Sequence, residues 1–232
     1  FKKSDQELVL SGQLTNSDRN TDYDVTRLLD SLPAFPILES SLNKSGNREM
    51  TLQLDYTHPF SKAVSIEGGA KTILRNVKSD YNTKRFSYIA DEYLTDLSRS
   101  NVFNYDQDIY AGYLQLSATV KKWGFKGGVR YEHTKLEGGI GDNSSSVSNE
   151  YENYIPTATV SYTRATKFSL KLSYTQRIQR PGLTYLNPYV NQSDVSNISY
   201  GNPKLSAEKS QSFEFGWNWF RKFGSINTSV YH

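Results

Sequence analysis

Metal ligation, acid–base catalysis and phosphate binding each need a small set of side chains at a defined spacing, and this sequence offers none of those sets in legible form. His58, His133 and His232 are scattered, and none has a second histidine or an acidic cluster at ligand spacing. Gly138-Gly139-Ile140-Gly141-Asp142-Asn143 is glycine-rich, but no helix follows whose N-terminus would hold a phosphate, so it reads as a flexible loop. Asp91 with Glu92, and Glu150 with Glu152, are carboxylate pairs in polar connections, where solvated charge is the default reading. No Ser/His/Asp arrangement can be read, and the chain has no cysteine for a disulfide or a thiolate site. Asn-X-Ser sequons at Asn43, Asn143, Asn191 and Asn197 are what loops rich in Asn and Ser produce by chance. The expectation is a protein that is not an enzyme and carries no cofactor or metal.

What the sequence has in quantity is aromatic and charged side chains. The chain of 232 residues is 13% aromatic, with 17 Tyr, yet only 36% hydrophobic, with a mean hydropathy of -0.64. A transmembrane barrel sets only every second residue against lipid, so it reads as polar overall. No stretch approaches the roughly 18 apolar residues of a membrane-spanning helix. The net charge of +3 is spread without a basic block, which argues against nucleic-acid binding. Phe1-Lys2-Lys3 is not a signal peptide, and the chain is expected to start inside a longer protein.

Period-two alternation dominates the chain, and helical periodicity is almost absent. Met50, Leu52, Leu54 and Tyr56 share one face while Glu49, Thr51, Gln53 and Asp55 share the other. After His58-Pro59-Phe60-Ser61-Lys62, Val64, Ile66, Ala70 and Leu74 oppose Ser65, Glu67, Lys71 and Arg75, which makes a hairpin. The unit recurs around Lys121-Lys122-Trp123-Gly124, Arg164-Ala165-Thr166 and Arg221-Lys222-Phe223-Gly224. With a first strand near Glu7 to Thr15, the count is about nine strands.

Short and long connections alternate, the long ones being residues 19 to 47, 77 to 101, 137 to 151 and 180 to 207. That asymmetry belongs to an outer-membrane barrel with tight periplasmic turns and long extracellular loops. Alternating runs of ten to fourteen residues exceed the usual strand of about five or six and suit a tilted span. Tyr56, Phe60, Trp123, Phe125, Tyr162, Phe168, Trp219 and Phe223 stand near strand ends, where interfacial girdles need them. The fold class expected is all-β: an antiparallel transmembrane β-barrel of which this chain supplies about nine strands. Nine strands cannot close a bacterial barrel, which takes an even number, so residues 1–232 are expected to be a fragment of one barrel domain.

With the apolar face toward lipid, the polar face lines a lumen holding Glu67, Lys71, Arg75, Lys126, Arg130, Glu132, Lys171 and Arg177. Charges of both signs, interspersed, suit a filled interior more than a pore ringed by one sign.

The run Ser173-Tyr174-Thr175-Gln176-Arg177-Ile178-Gln179-Arg180-Pro181, then Leu186-Asn187-Pro188, then Asn197-Ile198-Ser199-Tyr200-Gly201-Asn202-Pro203-Lys204-Leu205 is the most distinctive in the chain. It resembles the outer-membrane β-barrel family of TonB-dependent receptors. The segments Asp55-Tyr56-Thr57-His58-Pro59-Phe60 and Gly127-Gly128-Val129-Arg130-Tyr131-Glu132-His133-Thr134 are similar to hairpins of that family, so the resemblance runs from about residue 48 onward. It implies a barrel of about 22 strands in the outer membrane of a Gram-negative bacterium. It further implies a plug domain and a TonB-contacting segment, both absent from these residues and supplied by the rest of a parent chain. The function it implies is active uptake of a large or scarce ligand, a ferric siderophore or an oligosaccharide. The alternative is a structural or adhesion barrel whose loops bind a partner. Outer-membrane lipid is the expected surrounding, a surface lipoprotein is a further partner the reading allows, and no nucleic acid is expected. Tyr185, Tyr189 and Tyr200 are aromatic loop residues that could stack on a ligand or pack the loop on itself.

Overall fold

The computed structural model describes residues 5–28, 35–141, 145–164, 168–186, 191–194, 197–202, 204–221 and 223–232. In chain order the elements are β1 (Glu7–Arg27), β2 (Ile37–Ser61), β3 (Val64–Ser87), β4 (Glu92–Thr95), β5 (Asn101–Val120) and β6 (Trp123–Ile140). They continue as β7 (Ser145–Arg164), β8 (Phe168–Gln179), α1 (Leu183–Leu186), β9 (Asn191–Asp194), β10 (Asn197–Ser199), β11 (Glu208–Arg221) and β12 (Gly224–Tyr231). The main sheet is antiparallel and runs β1-β2-β3-β5-β6-β7-β8-β11-β12, with β4 folded back on the end of β3 and β9 pairing β10 separately. Each long strand thus pairs with its sequence neighbours, the up-and-down arrangement that tight turns dictate.

Register gathers the alternating residues into continuous rows. His58, Ile66, Leu116, Gly127, Ala158, Tyr174 and Phe213 are successive partners across seven strands. On the other face Asp55, Gly69, Tyr113, Arg130 and Ile155 are successive partners across five. Burial is one-sided. Leu10, Leu14, Leu114 and Leu172 on the apolar face are more than half exposed, whereas Phe103, Tyr105, Gln107, Glu132, Thr134 and Asn153 on the polar face are buried. A continuous band of bare leucine and aromatic side chains is stable only if its medium is hydrocarbon. At the short-turn end Trp123 stacks with Phe125 at 6.4 Å and meets Tyr162 at 4.9 Å. Eight residues up β6 and β7, Tyr131 and Tyr154 meet at 5.2 Å. Eight residues of tilted strand rise roughly 20 Å, close to the lipid thickness a barrel must match.

The described turns are tighter than the sequence suggests: Lys62-Ala63 and Lys121-Lys122 alone join their strands. Ala165 and Thr166 of the third turn and Lys222 of the fourth lie outside the described residues. The long connections are corrected more substantially. Residues 19–27 and 37–47 continue β1 and β2, paired through Arg27 and Ile37, and 77–87 continue β3. Likewise β6 runs to Ile140 and β7 starts at Ser145, so Gly138, Gly139 and Ile140 are strand and not loop, while Asp142 and Asn143 lie outside the described residues. The reason is physical. Beyond the lipid the outer face of a strand meets water, so the apolar alternation toward that face vanishes while the backbone ladder continues. The connection from 180 to 207 keeps its irregular character, with α1, β9 and β10 inside it.

Candidate functional site

The charged residues singled out in the sequence stand at alternate positions that share one face. Glu67, Lys71 and Arg75 lie on β3, Arg130 and Glu132 on β6, and Arg177 on β8. Most of them have partners. Arg75 donates through Nε to Glu49 Oε2 at 2.8 Å and through Nη1 to Gln107 Oε1 at 3.4 Å. Gln115 Nε2 donates to Glu67 Oε2 at 2.5 Å, and Tyr113 donates its hydroxyl to Asp55 Oδ1 at 2.6 Å. Glu132, 4% exposed, holds Arg130 Nε at 2.9 Å and also the guanidinium of Arg180. Such a buried carboxylate requires both cations, since an unpaired one would be strongly destabilising. Among the described residues, Lys71, Lys126 and Arg177 have no carboxylate in ion-pair range.

The two signs are interspersed along this face: Glu67 shares β3 with Lys71 and Arg75, Arg130 shares β6 with Glu132, and Lys171 of β8 lies 3.8 Å from Glu214 of β11.

Further out, the same face turns apolar. Val77 of β3, Phe103 and Tyr105 of β5 and Leu136 of β6 form a buried cluster with Leu186, and Tyr151 packs against it. Leu186 is therefore an anchor. It pins the single turn α1 down onto the inner face, and Arg180, six residues earlier, makes the second tie through Glu132. The backbone closes the loop upon itself as Asn202 N–H donates to the Tyr185 carbonyl at 2.7 Å. With the loop so held, Tyr185 and Tyr200 remain 67% and 74% exposed. Two of the three aromatic candidates therefore stand on one tethered loop with their rings free; Tyr189 lies outside the described residues, as do Asn187, Pro188 and Pro203.

A second tie holds the β3–β4 hairpin. Arg99 reaches Glu39, which is 2% exposed, and Ser100 Oγ accepts from Thr83 N–H at 2.9 Å. At the tip, Phe35, Tyr88, Phe86 and Tyr93 form a chain of edge-to-face ring contacts at 5.1 to 5.3 Å. Ile89 beside them is fully exposed.

Arg180 and Leu186 stood out in the sequence only as members of the distinctive run, with no contact foreseen for either, and Glu39 and Arg99 were not singled out. A usable signal existed: Val77, Phe103, Tyr105, Ile109, Leu136 and Ile155 are apolar residues in the polar register of their strands. The remaining carboxylate pair is also relocated. Glu150 and Glu152 stand on β7, where Glu150 Oε1 lies 3.1 Å from His133 Nε2, and no metal-holding group of His, Asp and Glu occurs among the described residues.

A family model described as "Outer membrane protein beta-barrel family" matches residues 1–232. The fold is similar to that of the ferric citrate transporter FecA, at 12% identity and a TM-score of 0.64, covering 100% of this chain and 32% of that one. It is similar to the siderophore receptor PiuA from Acinetobacter baumannii, at 13% identity and a TM-score of 0.61, over 99% of this chain and 38% of that one. It also matches the copper transporter OprC, at 13% identity and a TM-score of 0.60, over 96% of this chain and 35% of that one. The chain therefore spans about a third of the length of these structures. No curated protein sequence matches it.

Proposed function

Because the chain belongs to the outer membrane protein beta-barrel family, we propose that it is barrel wall and outer loops of a TonB-dependent receptor that actively takes up a large or scarce ligand. Its place is the outer membrane of a Gram-negative bacterium, and the structures it resembles are transporters and receptors. A plug domain and TonB would act on it through the rest of the parent chain, with ferric siderophores and oligosaccharides as the ligand classes in view. The observation that carries this reading is the loop from 180 to 205. It is pinned inward by Leu186 and Arg180, and it presents the exposed rings of Tyr185 and Tyr200. A barrel that only anchored or adhered would have no need to fold a loop onto its inner face, whereas a receptor places ligand contacts there. Deleting residues 183–202 from the full receptor should abolish uptake of the ligand while leaving the barrel inserted and protease-resistant. Normal uptake by that variant would remove the loop from the mechanism.

The ring chain in which exposed Phe35, Tyr88 and Tyr93 are joined through half-buried Phe86 favours a second reading alongside the first, in which the β3–β4 tip docks a partner such as a surface lipoprotein. Co-purification of a lipoprotein with the wild type, but not with Tyr88→Asp/Tyr93→Asp, would establish it.

A further inference from the structure

The four short turns share a composition that the uptake reading leaves unused. Each sets cations beside an aromatic ring: Phe60-Ser61-Lys62, Lys121-Lys122-Trp123, Arg164 with Lys167-Phe168, and Phe220-Arg221-Lys222-Phe223. No residue of 61–63, 121–122, 164–167 or 221–224 is acidic. The opposite end of the sheet carries both signs, Lys44 pairing with Asp80 across the strands and Lys135 with Glu137. A rim that only had to be soluble would be mixed in the same way.

Lys62, Lys121, Lys122 and Arg164 are exposed, and among the described residues none of them has a carboxylate in ion-pair range. The carboxylates nearest this end are Asp5, ahead of β1, and Glu7 and Glu67, which share one inner-face row through Thr57. Glu67 is already taken by Gln115. The turns are laced side by side. The Ala63 carbonyl accepts from Thr119 N–H at 2.7 Å, at the foot of β5, and the Lys122 carbonyl accepts from Thr163 N–H at 2.9 Å, next to Arg164. Successive turns, two strands apart, therefore stand roughly 10 Å from each other in one row.

The row also lies at a definite depth. Trp123, Phe125 and Tyr162 form the lower aromatic girdle; Lys122 directly precedes Trp123, and Arg164 pairs with Phe168. Interfacial rings sit at the headgroup level, and a long lysine stem carries its ammonium from there to the phosphates. Lys121 adds an independent sign. It opens a two-residue turn with φ 56, the left-handed region that glycine or asparagine enters at least cost. A lysine there works against the local preference of the turn, so its use lies in the ammonium it presents.

We propose that this row binds the anionic headgroups of phospholipids, phosphatidylglycerol and cardiolipin, in the inner leaflet of the outer membrane. The proposal needs the barrel in its membrane and does not depend on the uptake reading. The turns thereby fix the height of the barrel and gather an acidic annulus around its lower rim.

The test uses the full receptor in phosphatidylethanolamine vesicles doped with spin-labelled phosphatidylglycerol or phosphatidylcholine, and reads the motionally restricted fraction of each label. Phosphatidylglycerol should associate at least about threefold more strongly, and the preference should shrink in high salt. Lys62→Gln/Lys121→Gln/Lys122→Gln/Arg164→Gln should remove most of it, while Lys62→Arg/Lys121→Arg/Lys122→Arg keeps it. Lys121→Gly/Lys122→Asn guards against a folding defect: it relaxes the turn, so the unfolding midpoint should hold or rise while the preference falls about twofold. Lys44→Gln/Lys84→Gln, at the opposite end, should leave the preference unchanged. Equal association of the two labels, or a preference that survives the glutamine variant, would overturn the proposal. An equal fall in the Lys44→Gln/Lys84→Gln variant would overturn it too, by making net charge the cause. So would loss of binding to purified peptidoglycan in the glutamine variant with the lipid preference intact, since the row would then face the cell wall.

Discussion

Tyr113 on β5 reaches across the whole width of β3 to Asp55 on β2, its hydroxyl 2.6 Å from Oδ1, because the residue beneath its ring is Gly69. A Cβ at 69 would stand 2.5 Å from Tyr113 Cε1, 2.6 Å from Asp55 Oδ1 and 2.7 Å from the Leu54 carbonyl. Three consecutive strands are thereby tied by one side chain laid over a gap, a device for curving a sheet toward its polar face.

Gly69→Ala should destabilise the barrel by about 1–3 kcal/mol, the usual cost of overpacking. Tyr113→Ala introduced into the same variant should recover part of the loss, because it removes one of the two clashing side chains. Urea unfolding of the full receptor in lipid, followed through a double-mutant cycle, reads both effects.

The direction of the two faces can be checked by charge. Leu114→Arg lies on the apolar face, and a charge near the bilayer midplane costs roughly 2–4 kcal/mol in a barrel. Gln115→Arg, one residue on, points to the polar face and should insert normally. Comparing their yields of folded, protease-resistant protein in the outer membrane separates them; equal yields would reverse the assignment of faces.

Leu186→Ala removes the anchor of the inward loop. Emptying a buried leucine site costs about 2–5 kcal/mol when the surroundings do not collapse. Here the cost should appear locally, as faster proteolytic cleavage between 181 and 205 with the barrel's unfolding midpoint little changed, since α1 contributes no strand to the sheet.

Glu132→Gln tests the second tie. The neutral amide no longer holds Arg130 and Arg180 as ions, so cleavage of the same loop should accelerate, and combining it with Leu186→Ala should release the loop further than either alone. Loop protection that persists in the double variant would show that another contact fixes it.

The lipid-facing half of each strand was open to reading because one medium on each side writes a period of two into the sequence: Met50, Leu52 and Leu54 against Glu49, Gln53 and Asp55. The outer halves were not. Asn43-Lys44-Ser45-Gly46-Asn47 carries turn-like composition, yet every residue of it pairs with β1 and β3, held by a ladder that composition does not record. The anchor of the loop was equally hidden, since the pocket for Leu186 is assembled from three strands, β3, β5 and β6, that only register brings together. The ties of Arg180 to Glu132 and of Arg99 to Glu39 needed the same information, as the partners are 48 and 60 positions apart in the chain.

The continuation of β2 and β3 far past the lipid level divides each strand into two parts with different obligations. The lower part answers to the membrane and admits substitution only within an apolar alternation. The upper part, from about Arg48 back to Ile37 and from Asn76 on to Ser87, answers to pairing, to inward contacts such as Val77 with Leu186 and Glu39 with Arg99, and to whatever approaches from outside. The outward-facing positions of that part can thus change residue by residue without disturbing insertion, so lineages of this protein can diverge at their outer surface while keeping a barrel that the membrane still accepts.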